Sequence, residues 1–427
     1  MRPPAFALVD CDDFYVSCER VFAPSLRGRV VVVLSNNDGC VISRSGEAKA
    51  AGVTMGAPLF KVQGLLDAHA AKIFSSNYEL YGDMSRRVRR VLEDCAPEVE
   101  TYSIDEWFLG LSCLREEELT ETGRRVRGKI KQWLGLPASV GIAGTKTLAK
   151  LAARLAKRSA KAAGVVNLYN SPHAERALAL TAVGDVWGVG PRLSARLCAR
   201  GVRTALDLRD ADERRMRRLG GVVLQRVVLE LRGVSCLPLS ICPPDRKSVV
   251  CSRSFGRPVE TFEELREAAA FHACRAAVKL RRARLAANVL VVFAATGRFE
   301  AEGRYENSAL LALPAPTDYT PELIRHARLG VEEIYRAGVR FKKAGVMLLD
   351  LVPAAPVQTV MRDETDRARA ARLMQTLDRI TARMGHRALR FAAAGFDQRW
   401  RMLSLERSPR CTTRWAELLR LHLPTVK

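Results

Sequence analysis

Long apolar runs are missing from this 427-residue chain. The longest, such as Asn288 to Ala295, are strand-sized, well short of the ~20 residues a membrane helix needs. The N-terminus offers Arg2 and then two prolines, with no apolar core or cleavage site, so no secretory leader is expected. The 11 cysteines and 6 histidines are scattered, with no C-x-x-C pair and no histidine at zinc spacing. That excludes a zinc ribbon, gives no support for a cysteine nucleophile, and fits reduced, mostly buried thiols in a cytosolic protein. Acidic residues are also in short supply. Asp and Glu number 46 against 69 Lys and Arg, a net charge of +23. A soluble chain this basic needs a polyanionic partner, and without a membrane span nucleic acid is expected.

Against that basic background the position of a few carboxylates carries information. Tyr102-Ser103-Ile104-Asp105-Glu106-Trp107-Phe108 reads as a hairpin with two adjacent carboxylates where the chain turns. Acidic residues are common at turns, so the pair alone is a weak sign. A neighbouring pair does repel and lose hydration if buried, which a cation relieves, and hard oxygen ligands suit Mg²⁺ or Mn²⁺. A third carboxylate, Asp10, ends the buried-strand run Ala5 to Val9. Asp10 is expected to fold back beside Asp105 and Glu106, so that three carboxylates hold two metal ions for phosphoryl transfer.

The rest of the chain supplies context. Phe14 to Glu19 predicts a short helix after the first strand, placing Tyr15 about one turn from Asp10, and core packing is the commoner fate of such aromatics. Arg29 to Leu34 and Cys40 to Ile42 read as strands around the turn Ser35 to Gly39. Ser43 to Gly52 is a small-residue loop leading into a helix, which can cradle phosphate or simply cap a surface helix. A helix is expected over Glu79 to Cys95, another over Thr122 to Leu134, a strand over Ala138 to Ala143, and a basic helix over Thr147 to Ala163 that carries Lys150, Lys157 and Lys161. The alternation up to Leu168 fits a ferredoxin-like α+β domain with residues 19–77 inserted. From Pro172 the pattern is helical. Gly188-Val189-Gly190 beside Trp187 and before Arg192 reads as a helix-hairpin-helix, whose glycines admit a DNA phosphate to the backbone amides. A linker over Pro238 to Lys247 precedes a second α+β pattern: strands at Ser248 to Phe255, Asn288 to Ala295 and Ala344 to Leu351, helices at Thr261 to Arg284 and Pro321 to Gly338. A last helix is expected over Arg362 to Met384, then a basic tail with Phe391, Trp400 and Trp415.

Several long strings now coincide: LSNNDGCVISR (Leu34 to Arg44), GEAKAAGV (Gly46 to Val53), FSSNYELYGDMS (Phe74 to Ser85), YSIDE (Tyr102 to Glu106), GIAGTKTLAKLA (Gly141 to Ala152), DVWGVG (Asp185 to Gly190) and CSRSFG (Cys251 to Gly256). Over the whole chain they resemble the Y-family of translesion DNA polymerases, in its UmuC-type branch. The resemblance implies an α+β multidomain, right-hand polymerase: palm over 1–18 and 78–168, fingers over 19–77, helix-hairpin-helix thumb over 169–237, little finger over 247–352, and a UmuC-type C-terminal region over 357–427. It implies error-prone translesion synthesis in the SOS DNA-damage response, without proofreading, in the cytoplasm and at the nucleoid when active. The small residues Ala48, Ala50, Ala51 and Gly52 over the nascent pair would tolerate damage.

Residue by residue, Asp10, Asp105 and Glu106 match the catalytic metal-binding carboxylates, with the Cys11 carbonyl as a further ligand of two Mg²⁺ (or Mn²⁺). Tyr15 falls at the steric gate that excludes a ribose 2′-hydroxyl, and Ser43, Lys49 and Lys157 at the triphosphate contacts. Gly46 stands where some members have tyrosine. Gly188, Gly190, Arg192, Arg253 and Ser254 are the expected DNA contacts. Primer-template DNA and deoxynucleoside triphosphates are the implied substrates, and a UmuD-type dimer and a RecA filament the implied partners. One motif departs. Gln358-Thr359-Val360-Met361-Arg362 has Arg362 in place of the aromatic that would anchor a sliding-clamp peptide, and losing such an anchor costs ~2 kcal/mol or more. Clamp docking through this peptide is therefore not expected. Two rivals use the same fold or the same carboxylates: an inactive DNA-binding scaffold and a metal-dependent nuclease.

Overall fold

The computed structural model describes residues 3–242, 245–297, 304–354, 366–385 and 388–419. Gln358 to Arg362, the altered clamp peptide, lies outside the described residues. The chain divides into two compact units. One holds Met1–Ser35, Cys40–Pro243 and Glu406–Lys427; the other holds Asn36–Gly39 and Pro244–Leu405. The expected C-terminal region is divided between the two, with Leu405 the last residue of the second unit and Glu406 in the first.

The first unit begins with β1 (Phe6–Cys11) and α1 (Phe14–Phe22). A small sheet follows, built from β2 (Val31–Leu34), β3 (Val41–Arg44) and β4 (Lys72–Ser75) in the order β3-β2-β4, with α2 (Gly46–Ala50) and α3 (Leu59–Ala68) between β3 and β4. Then come α4 (Tyr78–Glu93), β5 (Glu98–Thr101), β6 (Glu106–Gly110), α5 (Glu116–Leu134), β7 (Ala138–Ala143), α6 (Lys146–Arg158) and β8 (Val165–Asn167). The main sheet has the order β5-β6-β1-β7-β8. Its first four strands reproduce the expected ferredoxin-like order, and β8 extends the edge by parallel pairing with β7. β1 is central, between β6 and β7, and both its faces are covered, Ala7, Val9 and Cys11 lying in one core and Phe6 and Leu8 in another, which is why its run reads apolar without alternation.

Close packing of α6 onto this sheet depends on Gly141. A Cβ there would lie 2.0 Å from the Ala153 amide nitrogen and 2.2 Å from the Ala149 carbonyl oxygen, so nothing larger than glycine fits. Alanines 149, 152, 153 and 156 complete the close face, and Thr145 caps the helix by accepting from the Leu148 amide. The basic helix ends at Arg158 rather than Ala163 because Ser159 turns extended. Helices α7 (Ala174–Leu180), α8 (Pro191–Cys198), α9 (Ala205–Asp210) and α10 (Glu213–Leu231) finish this part, and α10 breaks at Gly221, whose φ of 70° is left-handed.

The second unit is built from β9 (Val249–Val259), α11 (Phe262–Ala283), β10 (Leu285–Ala295), β11 (Glu306–Thr317), α12 (Thr320–Ile334) and β12 (Phe341–Pro353), in sheet order β11-β10-β12-β9, all antiparallel. Sequence reasoning missed β11. Its Pro314 and Pro316 argue against a strand, yet β11 is an edge strand and both prolines fall where the register with β10 shifts. Those are the places where a missing amide donor is tolerated. Helix α13 (Arg367–Met384) is tied to this unit by a bidentate pair, Arg281 to Asp378 at 2.7 and 2.9 Å. Trp400, buried against Phe255 and Phe271, joins the same core. The backbone at Arg401 lies so close to Gly256 that a Cβ there would meet its carbonyl at 2.3 Å, a packing reason for the glycine of CSRSFG.

A candidate nucleotidyl-transfer site at the end of the central strands

Asp10 and Glu106 are register partners across β1 and β6, so both side chains leave the same face at the same end of the sheet. Asp105 precedes Glu106 in the turn, where its carbonyl accepts from the Cys11 amide at 2.9 Å and its carboxylate accepts from the Ser103 hydroxyl at 2.5 Å. The three expected carboxylates therefore share one strand end. They are not drawn onto one point. Among the described residues no group of three or more His, Cys, Asp and Glu side chains is placed to hold a metal ion as it stands. Lysines stand among them instead. Lys150 donates to both Glu106 oxygens at 3.0 and 2.9 Å, and Lys157 lies 3.3 Å from Asp10 and 3.3 Å from Asp12.

The electrostatic perturbation falls on Asp10 and on the lysine beside it. Burial pushes the Asp10 carboxyl up, Lys157 pulls it down, and Glu106, Asp12 and Asp105 raise it again, leaving it at about 6. Burial works against the Lys157 charge, but Asp10, Asp12 and Asp13 outweigh it and hold its pKa above the ordinary lysine value. Hard carboxylate and carbonyl oxygens brought to one strand end are a donor set that divalent cations fit, and Asp10, Asp105, Glu106 and the Cys11 carbonyl are the candidates to hold them.

Lys150 is the residue that sequence reasoning undervalued, having been read merely as a basic position. It lies 4.3 Å from the Tyr102 ring centroid and 5.3 Å from that of Trp187, within cation–π reach. The signal was its spacing: Lys146, Lys150 and Lys157 recur at i, i+4 and i+11, one face of α6. Lys146 is buried against Glu100, whereas Lys150 and Lys157 line a cleft of about 280 Å³ with Asp10, Glu106 and Trp187. Trp187, which flanks the expected hairpin, packs on Tyr102 and donates its indole N–H to the Tyr102 hydroxyl at 3.1 Å.

On the other side, Asp13 starts α1 in the left-handed region and pairs with Lys49 at 2.5 Å. Ser43 is buried and its hydroxyl accepts from the Val16 amide at 3.4 Å. The Tyr15 ring stacks on Tyr81 with centroids 4.6 Å apart and meets Tyr78 edge-on at 5.9 Å. Burial, Tyr78 and the Asp105 charge raise the Tyr15 hydroxyl to about 12. Gly188, at φ 90°, and Gly190 are exposed in the loop before α8. In the second unit Arg253 is exposed on β9, while the Ser254 carbonyl accepts from Asn37 Nδ2 at 3.0 Å. No helix of the described residues is long and apolar enough to cross a membrane.

Comparison with known proteins gives three family matches. Residues 9–154 match the impB/mucB/samB family, residues 246–361 its C-terminal domain, and residues 371–421 a domain of unknown function, DUF4113. Protein UmuC of Salmonella typhimurium is 46% identical over 97% of this chain and 100% of its own length. Protein MucB of Escherichia coli is 40% identical over 97% of this chain and 98% of its own, and DNA polymerase IV of Brucella melitensis 28% identical over 90% and 84%. Among solved structures, a Y-family DNA polymerase chimera of Dbh and Dpo4 superposes with a TM-score of 0.67, covering 82% of this chain and 99% of its own, at 20% identity.

Proposed function

The chain belongs to the impB/mucB/samB family, the family of UmuC, and from that membership and the strand-end carboxylates we propose that it is a DNA-directed DNA polymerase performing error-prone translesion synthesis in the SOS response. The observation that carries this reading is the pairing of Asp10 with Glu106 across β1 and β6, with Asp105 next in the turn and two lysines of α6 beside them. Palm, fingers, thumb and little finger then correspond to 1–18 with 78–168, 19–77, 169–237 and 247–352.

Asp10, Asp105 and Glu106, with the Cys11 carbonyl, would hold divalent ions, Mg²⁺ or Mn²⁺, which when bound supply activation of a primer 3′-hydroxyl and charge neutralisation on the triphosphate. The chain's own residues do the rest. Lys157 and Lys49 are held close to the carboxylate end by Asp10, Asp12 and Asp13, and each can exchange its carboxylate partner for a phosphate oxygen as nucleotide enters. Ser43 adds a hydroxyl at the end of β3. The Tyr15 ring faces the sugar and leaves no room for a 2′-hydroxyl. Gly188, Gly190 and Arg192 in the thumb, and Arg253 and Ser254 on β9, bind the DNA backbone. A UmuD-type dimer and a RecA filament are the partners in keeping with the family, and the place of action is the cytoplasm, at the nucleoid.

Primer extension by the purified full chain on a primer-template with deoxynucleoside triphosphates and Mg²⁺, with and without a UmuD-type dimer and a RecA filament, tests the reading. Extension, including past an abasic site, is expected. Binding without extension under every condition would point to a scaffold, and primer shortening to a nuclease.

A further inference from the structure

The Tyr15 ring does not stand alone. Tyr15 and Glu19 are four residues apart on one face of α1, and Tyr78 and Tyr81 are three apart on α4. Tyr81 is fully buried, stacks on Tyr15 with an interplanar angle of 18°, and donates its hydroxyl to Glu19 Oε1 at 2.6 Å. Glu19 is 3% exposed, and a carboxylate so buried must find donors. Its second donor comes from the far end of the chain: the Ser408 hydroxyl reaches the same Oε1 at 2.9 Å. Burial pushes the Glu19 carboxyl up, and the hydrogen bonds from Tyr81 and Ser408 oppose that rise.

Ser408 is itself fixed. Asn77, the cap of α4, donates its side-chain amide to the Ser408 hydroxyl at 2.9 Å and to the Ser408 and Pro409 carbonyls at 3.0 and 3.2 Å. Two further bonds link Glu406 to Ser75 at the end of β4, and Arg410 pairs with Glu79 at 2.7 Å. This stretch falls within the part matched to a domain of unknown function. It therefore does something specific here: it completes the hydrogen bonding of the one buried acid that holds the ring behind Tyr15.

We propose that the C-terminal segment around Ser408 is a specificity element for the nucleotide sugar, acting through Glu19 and Tyr81 to fix the Tyr15 ring, with Glu19, Tyr81 and Ser408 as positioning residues. This rests on the reading of Tyr15 as the residue that faces the sugar. Removing a donor leaves Glu19 with an unfilled buried lone pair, which is recovered by a shift of α1 or of the Tyr81 ring stacked on Tyr15. Deoxyribose and ribose differ by one oxygen atom, so a displacement of a fraction of an ångström changes their relative fit while the carboxylate end is untouched.

The test is single-nucleotide incorporation by the full chain, scored as the ratio of kcat/KM for a deoxynucleotide to that for the matching ribonucleotide. Tyr15→Ala is expected to abolish most of the preference. Ser408→Ala and Tyr81→Phe, the latter keeping the stacked ring, are each expected to relax it roughly 5-fold, mainly through a lower ribonucleotide KM, with deoxynucleotide incorporation within about 2-fold of the parent. Ser408→Thr, which keeps the hydroxyl, is expected to retain the parental ratio. If Tyr15→Ala relaxes selection but Ser408→Ala and Tyr81→Phe leave the ratio unchanged, the positioning role is overturned and the sugar-facing role of Tyr15 stands. If Tyr15→Ala leaves the ratio unchanged, both fall together.

Discussion

The main sheet of the first unit and the sheet of the second are built from the same kind of parts, β-α-β-β-α-β, yet the strands are ordered differently. In the first unit β1 and β6 are central partners; in the second the central pair is β10 and β12. The chemistry follows the ends of those pairs. β1 and β6 bring Asp10 and Glu106 face to face at one end. β10 contains no charged residue, and β12 contributes Lys342, Lys343 and Asp350. The same element pattern thus gathers carboxylates at a strand end in one case, whereas the central pair of the other carries two lysines and one aspartate. Function lies in what the strand ends carry, not in the fold type.

That contrast can be broken most severely at the acidic end. Asp105→Ala is expected to lower extension by at least ~10³-fold while DNA affinity, measured by anisotropy, stays within about 2-fold. Extension that survives would remove Asp105 from the chemistry. The next largest effect concerns packing. Gly141→Ala places a Cβ 2.0 Å from backbone, so it is expected to destabilise the first unit by ~3 kcal/mol or more in denaturant titration. Gly345→Ala in the second unit meets atoms that are equally fixed, the Ser252 Cβ at 2.4 Å and the Cys251 carbonyl oxygen at 2.9 Å beside the Phe293 ring at 2.5 Å, so a loss of similar size is expected there.

A subtler test uses pH. The Asp10 carboxyl is raised from 3.8 to about 6, so the native state prefers it protonated, and that contribution to stability is present below pH ~4 and lost as pH rises through 6. With divalent ions chelated, Asp10→Asn is therefore expected to be more stable than the parent at pH 7 by ~1–2 kcal/mol, with the difference vanishing near pH 4. A difference independent of pH would mean that Lys157 fully offsets the crowding. The smallest effect belongs to the second unit. Arg253→Ala is expected to weaken DNA binding a few-fold, uniformly across sequences, and to reduce the salt slope by about 1, leaving the chemical step alone.

Much of this was legible in the residues themselves. β1, β6, β7 and α6 were readable from apolar runs and a basic helix-like stretch, and the approach of Asp10 to the Asp105-Glu106 turn was expected from the cation that crowded carboxylates call for. The hidden parts were of two kinds. β11 was masked by prolines, whose prohibition applies to interior strands and not to an edge. The Glu19–Tyr81–Ser408 contacts span 389 residues of sequence, and no local period reports a buried carboxylate served by a donor so remote. Lys150 lay between: its face was readable, but not that Glu106 would take it as partner.

The prolines of β11 also bear on how the molecule behaves in a crowd. An open sheet margin is a template on which a second chain can continue the ladder. Pro314 and Pro316 interrupt the row of amide donors along that margin, so the sheet ends where it is instead of seeding a cross-chain ribbon, even though Leu310 beside them is 68% exposed.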